Sequence, residues 1–163
     1  MKAALLLLCA ASLHAADFHG WTAESPRAEI RPQFSSGENG TLIITHDQRP
    51  GLDGWFQKTF EVKGGTYYRF QTQRKTTAVT NHRQSCLVRI VWQDADGKGI
   101  RMDNAPDYPT PGLPMPSAEP EYPTDGPTDA EGWTTVSGVY RVPSQAAKAI
   151  VELHLQWAPG GRV

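Results

Sequence analysis

The chain of 163 residues has only two cysteines, Cys9 and Cys86. Cys9 lies inside an N-terminal apolar run, so a chain that loses this run keeps one thiol and closes no internal disulfide. Packing alone must then hold the core. A basic surplus is missing as well. Sixteen Lys and Arg face 17 Asp and Glu, a formal net charge of −1, and removing Lys2 takes it one lower. Such a balance offers no footing for a phosphate backbone and argues against nucleic acid as a partner. Beyond the first residues no stretch is apolar and long enough to span a bilayer, so no membrane partner is expected past the N-terminus. Amphipathic helical periodicity is also lacking, while 15 Gly and 13 Pro cut the chain into short segments.

What is present at the N-terminus is a positive start, Met1-Lys2, then an apolar run from Ala3 to Leu13, then Ala15-Ala16 before Asp17. This three-part layout predicts a signal peptide over residues 1–16 and a secreted or periplasmic protein. The run is too short to span a membrane. Cys9 follows three leucines with no small residue directly before it, which excludes a lipid anchor. The remaining residues suffice for one domain with one core.

From residue 29 onward a period of two dominates. Strands are expected at Thr41–Thr45, Trp55–Val62, Tyr67–Arg74, Cys86–Gln93, Trp133–Val142 and Lys148–Trp157. Lys63-Gly64-Gly65 turns the chain between the second and third, so residues 55–74 form either a hairpin or an arch between sheets. Asp94-Ala95-Asp96-Gly97 reads as a turn, since it lacks the rest of a calcium loop. Residues 105–131, rich in proline, read as a long irregular loop. In the last strand Ala149, Val151, Leu153, Leu155 and Trp157 share a face, which places Trp157, like Trp92 and Trp133, in the core. Short strands with frequent turns predict an all-β, two-sheet antiparallel sandwich over residues 17–163. Arg162-Val163 reads as the start of a closing strand, so the domain is expected to be C-terminally incomplete, with an open edge beside residues 148–157.

The segment from Gly54 to Phe70 resembles the strand–Gly turn–Tyr–strand unit of jelly-roll carbohydrate-binding modules of the galactose-binding-like superfamily. Trp133 to Pro143, Lys148 to Leu153 and the turn Pro159-Gly160-Gly161 resemble the closing unit of those modules. Pro50 to Trp55, Glu121 to Asp125 and His154 to Gly161 are similar to the N-terminal module of secreted bacterial carbon–nitrogen hydrolases of the nitrilase superfamily. The Glu–Lys–Cys set of that family has no match in this chain. The resemblance implies a non-catalytic module that holds a polysaccharide or glycan and serves an enzyme domain downstream in the same gene product. Members often hold one structural calcium, for which this sequence marks no ligands; no other cofactor is expected. The alternatives are a structural or interaction sandwich without a sugar ligand, and an N-terminal fragment of a carbon–nitrogen hydrolase.

Sugar sites combine a flat aromatic face with planar polar groups. The strand faces that carry such residues are Trp55 and Gln57, then Tyr67, Arg69 and Gln71, then Glu152 and His154. If these faces belong to one sheet they make a polar–aromatic groove, although a solvated sheet face carries the same residue types. No catalytic constellation accompanies them. Cys86 sits in an apolar strand without a base beside it. The carboxylates Glu119, Glu121, Asp125, Asp129 and Glu131 cluster about a loop, a poor frame for a fixed pair.

Overall fold

The computed structural model describes residues 18–104 and 117–163. The expected signal peptide therefore lies outside the described residues, as do positions 105–116 of the proline-rich segment. Among the described residues there are nine strands: β1 (Thr22–Glu24), β2 (Gln33–Ser36), β3 (Leu42–Thr45), β4 (Asp53–Glu61), β5 (Tyr67–Arg74), β6 (Val88–Gln93), β7 (Thr124–Thr128), β8 (Thr134–Arg141) and β9 (Lys148–Gln156). Every paired strand is antiparallel. Among the described residues helix is limited to short turns at Ala28–Ile30, Glu38–Gly40 and His82–Ser85. The fold is an all-β, sandwich-like arrangement of antiparallel sheets rather than a barrel.

One layer is the four-stranded sheet β1-β4-β9-β6. Its alternation turns Phe56, Val88, Ile90, Trp92, Ala149, Val151 and Leu155 inward, all buried. The other layer is split. The sheet β5-β8-β7 covers the half of the first sheet near Trp92 and Val151, with Phe70, Val136 and Tyr140 as its inward contribution. The hairpin β2-β3 covers the other half, where Phe34, Leu42 and Ile44 pack on Phe56 and Leu155. Gly54 lets this hairpin in: a Cβ there would lie 2.6 Å from Pro32. Each large side chain fully buried in this way contributes about 1.5–3 kcal/mol of transfer free energy.

Residues 55–74 form an arch, because β4 and β5 belong to different sheets. The return path from β8 to β9 makes a second arch alongside. Together β4–β5 and β8–β9 are one two-stranded ribbon folded over a corner. In one sheet it is paired from Asp53↔Gln156 to Glu61↔Lys148, and in the other from Tyr67↔Arg141 to Arg74↔Thr134. Pairing continues through the bend, where the Val62 amide donates to Ala147 and the Gly65 amide to Val142, each at 2.9 Å.

Three further expectations change. Residues 148–157 have no open edge: β9 is central, paired with β4 on one side and β6 on the other. The reason is the arch, which brings β4 back to β9 from far up the chain. Arg162 and Val163 instead pair with β3 and with Thr77, through Val163–Ile44 and Arg162–Thr77 backbone bonds. Trp157 is outside the core and 54% exposed. Its φ of 52° breaks the alternation just after β9, and its amide donates to the Leu52 carbonyl. Finally, the proline-rich segment holds an edge strand, β7, whose register shifts between Asp125 and Thr128. Pro127 lies in this irregular stretch, where a missing N–H costs little.

At the corner, a Cβ on Gly64 would lie 2.2 Å from the Ser144 carbonyl oxygen, which is backbone and cannot swing away. Gly64→Ala is therefore expected to lower stability by about 1–3 kcal/mol in urea unfolding. Gly99→Ala, which meets open space, should stay within about 0.5 kcal/mol of the parent.

Candidate functional site

The residues expected to form one groove divide between the two outer faces. Trp55 and Gln57 on β4 face the same way as Glu152 and His154 on β9, with Trp55↔His154 and Gln57↔Glu152 in register. Tyr67, Arg69 and Gln71 lie on β5, on the solvent face of the opposite sheet, exposed and across the sandwich. The arch separates them. A single groove from all seven residues does not exist.

The four residues on the first face contact one another, although His154 Nδ1 stays buried without a partner. Glu152 accepts from Arg89 Nε at 2.5 Å and from His154 Nε2 at 3.0 Å. The Trp55 indole stacks on His154, with centroids 5.0 Å apart and planes at 24°, and donates to Gln57 Oε1. Glu152 and His154 are buried even though they point outward, because β9 is flanked on both sides by long side chains. Burial alone would raise the Glu152 pKa. The hydrogen bonds from His154 and Arg89 and their charges outweigh it and hold the carboxyl below its ordinary value. This face is a closed ionic cluster rather than an open platform for a sugar.

The open site lies where the second layer is split. A crevice of about 790 Å³ runs between the β2-β3 hairpin and the end of β5. The inner face of the first sheet forms its floor through Phe56, Val88 and Leu153, joined by Trp21 and Cys86. One wall comes from Asn39 to Ile44 with Arg162 and Val163, and the other from Thr72 to Lys75, Thr77 and Trp133. Trp133, expected in the core, is half-buried here. It immediately precedes β8, and its backbone amide is capped by the Asp129 carboxylate at 2.8 Å. Arg74 is anchored by donation to the Cys86 carbonyl at 2.8 Å and by an ion pair with Asp125 at 2.5 Å. Its Nε is buried with no partner. None of these wall residues was among the seven candidates, although Gln73 continues the β5 face that carries Tyr67, Arg69 and Gln71. The signal for them was the polar, cationic run Thr72 to Thr77 at the end of β5.

Groups able to act as nucleophile or base are restrained. Cys86 is buried, and desolvation pushes its thiol up to about 11, with the Arg74 charge only partly opposing. A thiol so placed is protonated at neutral pH. His46 is buried, its Nε2 3.1 Å from the Leu155 carbonyl, and burial lowers its pKa. The carboxylates of the proline-rich segment disperse: Asp125 pairs with Arg74, Asp129 caps Trp133, and Glu121 lies along β6. Asp94 in the turn after β6 spends Oδ1 on the amides of Asp96 and Lys98.

The Glu152 cluster yields a pH-dependent expectation. A carboxyl whose folded pKa is depressed adds stability above its ordinary value of 4.5 and loses it as pH falls through the folded value. Arg89→Ala should cost about 1–3 kcal/mol at pH 7, less than a fully buried pair because Arg89 keeps about a third of its surface in water. Denaturant titrations of both proteins should show the difference shrinking as pH drops below 4.5.

Among known proteins, no family model matches this sequence, and no curated protein does either. In structure, the chain is similar to the enzymatically active domain of tailspike protein 4 of bacteriophage CBA120, with a TM-score of 0.56 and 14% identity. The match covers 90% of this chain and 18% of that one, so the chain spans less than a fifth of its neighbour's length. At this identity the likeness is one of fold.

Proposed function

We propose that this chain is a non-catalytic carbohydrate-binding module, exported from a bacterial cell and accessory to an enzyme domain in the same gene product. One observation carries the reading: the crevice brings the indoles of Trp21 and Trp133 together with the planar polar groups of Asn39 and Arg74. A pyranose offers an apolar C–H face to an indole and its hydroxyls to amides and guanidinium groups, which is the chemistry this crevice presents. The resemblance of the Gly54–Phe70 and Trp133–Gly161 segments to jelly-roll modules supports the same reading. The tailspike neighbour, described as an enzymatically active domain, is consistent with a sandwich of this kind serving as part of a larger protein.

A second reading rests on a different surface. Tyr67 is 70% and Val139 58% exposed on the outer face of the β5-β8-β7 sheet. Diagonal to each other on that face, with Arg141 and Arg69 as their direct cross-strand partners, they offer a surface against which another domain would pack, in a module that orders its protein and binds no sugar.

Affinity electrophoresis of the mature chain against a panel of soluble polysaccharides separates the two readings. The binding reading expects retardation by at least one polysaccharide, and a loss of about tenfold or more in Trp133→Ala, since truncating a tryptophan anchor of a binding site to alanine costs about 2 kcal/mol or more. No retardation by any member would overturn it in favour of the packing role. The chain is also expected to leave glycoside, ester and amide substrates unchanged. Turnover that disappears in Cys86→Ala would refute the non-catalytic assignment.

A further inference from the structure

The crevice has a sign. Arg74, Lys75 and Arg162 line it, and no Asp or Glu is found among its described lining residues. Only Arg74 is in an ion pair, with Asp125, and its Nε remains buried without a partner. Lys75 and Arg162 have no carboxylate within ion-pair distance among the described residues. The chain as a whole does not share this bias, since its formal net charge is −1. Two unneutralised cations and a partly satisfied guanidinium thus face a recess floored by apolar side chains, where field lines concentrate and an anion is attracted more strongly than at an open surface.

Arg162 is held from both sides. Its backbone bridges Thr45 of β3 and Thr77, the two banks of the split layer. This fixes the base of its side chain at one end of the crevice, while Lys75 is fixed at the end of β5, on the bank that carries Trp133. The ring-stacking group and the cations therefore stand on the walls of one recess, an arrangement suited to a ligand that is both a sugar ring and an anion.

Resting on the carbohydrate-binding reading above, we propose that the crevice selects acidic glycans whose sugar rings bear carboxylates, with Arg162 and Lys75 as the residues that set this preference. A guanidinium forks onto a carboxylate through two parallel N–H donors, and an ammonium adds a point charge. The uronate carboxylate meets Arg162 and Lys75, and the ring face lies against Trp133.

The test is affinity electrophoresis of the mature chain in gels containing polygalacturonate, alginate, highly methyl-esterified pectin, dextran sulfate or a neutral β-glucan. Polygalacturonate and its methyl ester share a backbone and differ in charge. The proposal expects retardation by polygalacturonate or alginate, at least about fivefold weaker binding to the ester, and a marked loss of binding when salt is raised from about 0.02 to about 0.2 M. Lys75→Gln and Arg162→Gln should each weaken uronate binding about fivefold or more while melting like the parent. Trp133→Ala should weaken all sugar binding. Equal retardation by ester and acid, or by neutral glucan alone, would overturn the acidic preference and leave the sugar-binding reading standing. Retardation by dextran sulfate but not by either uronate would overturn the carboxylate assignment. Uronate binding unchanged in both Gln variants would remove the crevice from the proposal, and no retardation in any gel would overturn both readings together.

Discussion

The backbone-to-backbone contact at the corner of the folded ribbon governs this molecule. Gly64 lies against the Ser144 carbonyl with no room for a side chain, and the amides of Val62 and Gly65 bond across to the opposite arm. Because pairing continues through the bend, the register of β4 against β9 also fixes that of β5 against β8. A slip of one residue on either side would turn inward side chains such as Val151 and Val136 to solvent. The two faces of the core are thus positioned by one covalent path rather than by independent docking of two sheets.

The same corner explains which parts of the structure were legible in the sequence. β5 and the other long strands announce themselves by alternation, since each has one apolar face of several residues. Whether residues 55–74 made a hairpin or an arch was not legible, because Lys63-Gly64-Gly65 suits either; the choice depends on Ser144, 80 positions away in the chain. β1 and β2 span only three and four residues, too few for a period to register. β7 reads as loop because Gly126 and Pro127 are poor strand formers, and it exists as an edge borrowed from β8. Trp157 continued the alternation of β9 in the sequence; only its positive φ takes it out of the core.

The candidate site was less legible than the fold for a related reason. Strand faces can be read locally, but which faces share a sheet is a matter of topology. Trp55, Gln57, Glu152 and His154 did come together, in a cluster closed by the Arg89–Glu152 ion pair. The crevice depends on something no local pattern reports: a second layer divided between the β2-β3 hairpin and the β5-β8-β7 sheet, leaving Leu153 and Trp21 only partly covered between them. A split layer exposes apolar floor without exposing an apolar outer surface, and its banks are strand ends and turns, where polar and charged side chains are easily accommodated.

The folded ribbon also has a kinetic cost. Its arms, residues 53–74 and 134–156, are joined through a long intervening stretch, and β6, within that stretch, enters the four-stranded sheet only once β9 is in place beside it. The consecutive strand pairs among the described residues, β2-β3 and β7-β8, both lie in the divided layer, so neither can template the central sheet. Closing such a loop spends chain entropy before the contacts that repay it form, and topologies dominated by distant pairings fold slowly at a given stability. The time this chain takes to mature is therefore set by the meeting of two remote arms, during which the apolar face of β9 stays uncovered.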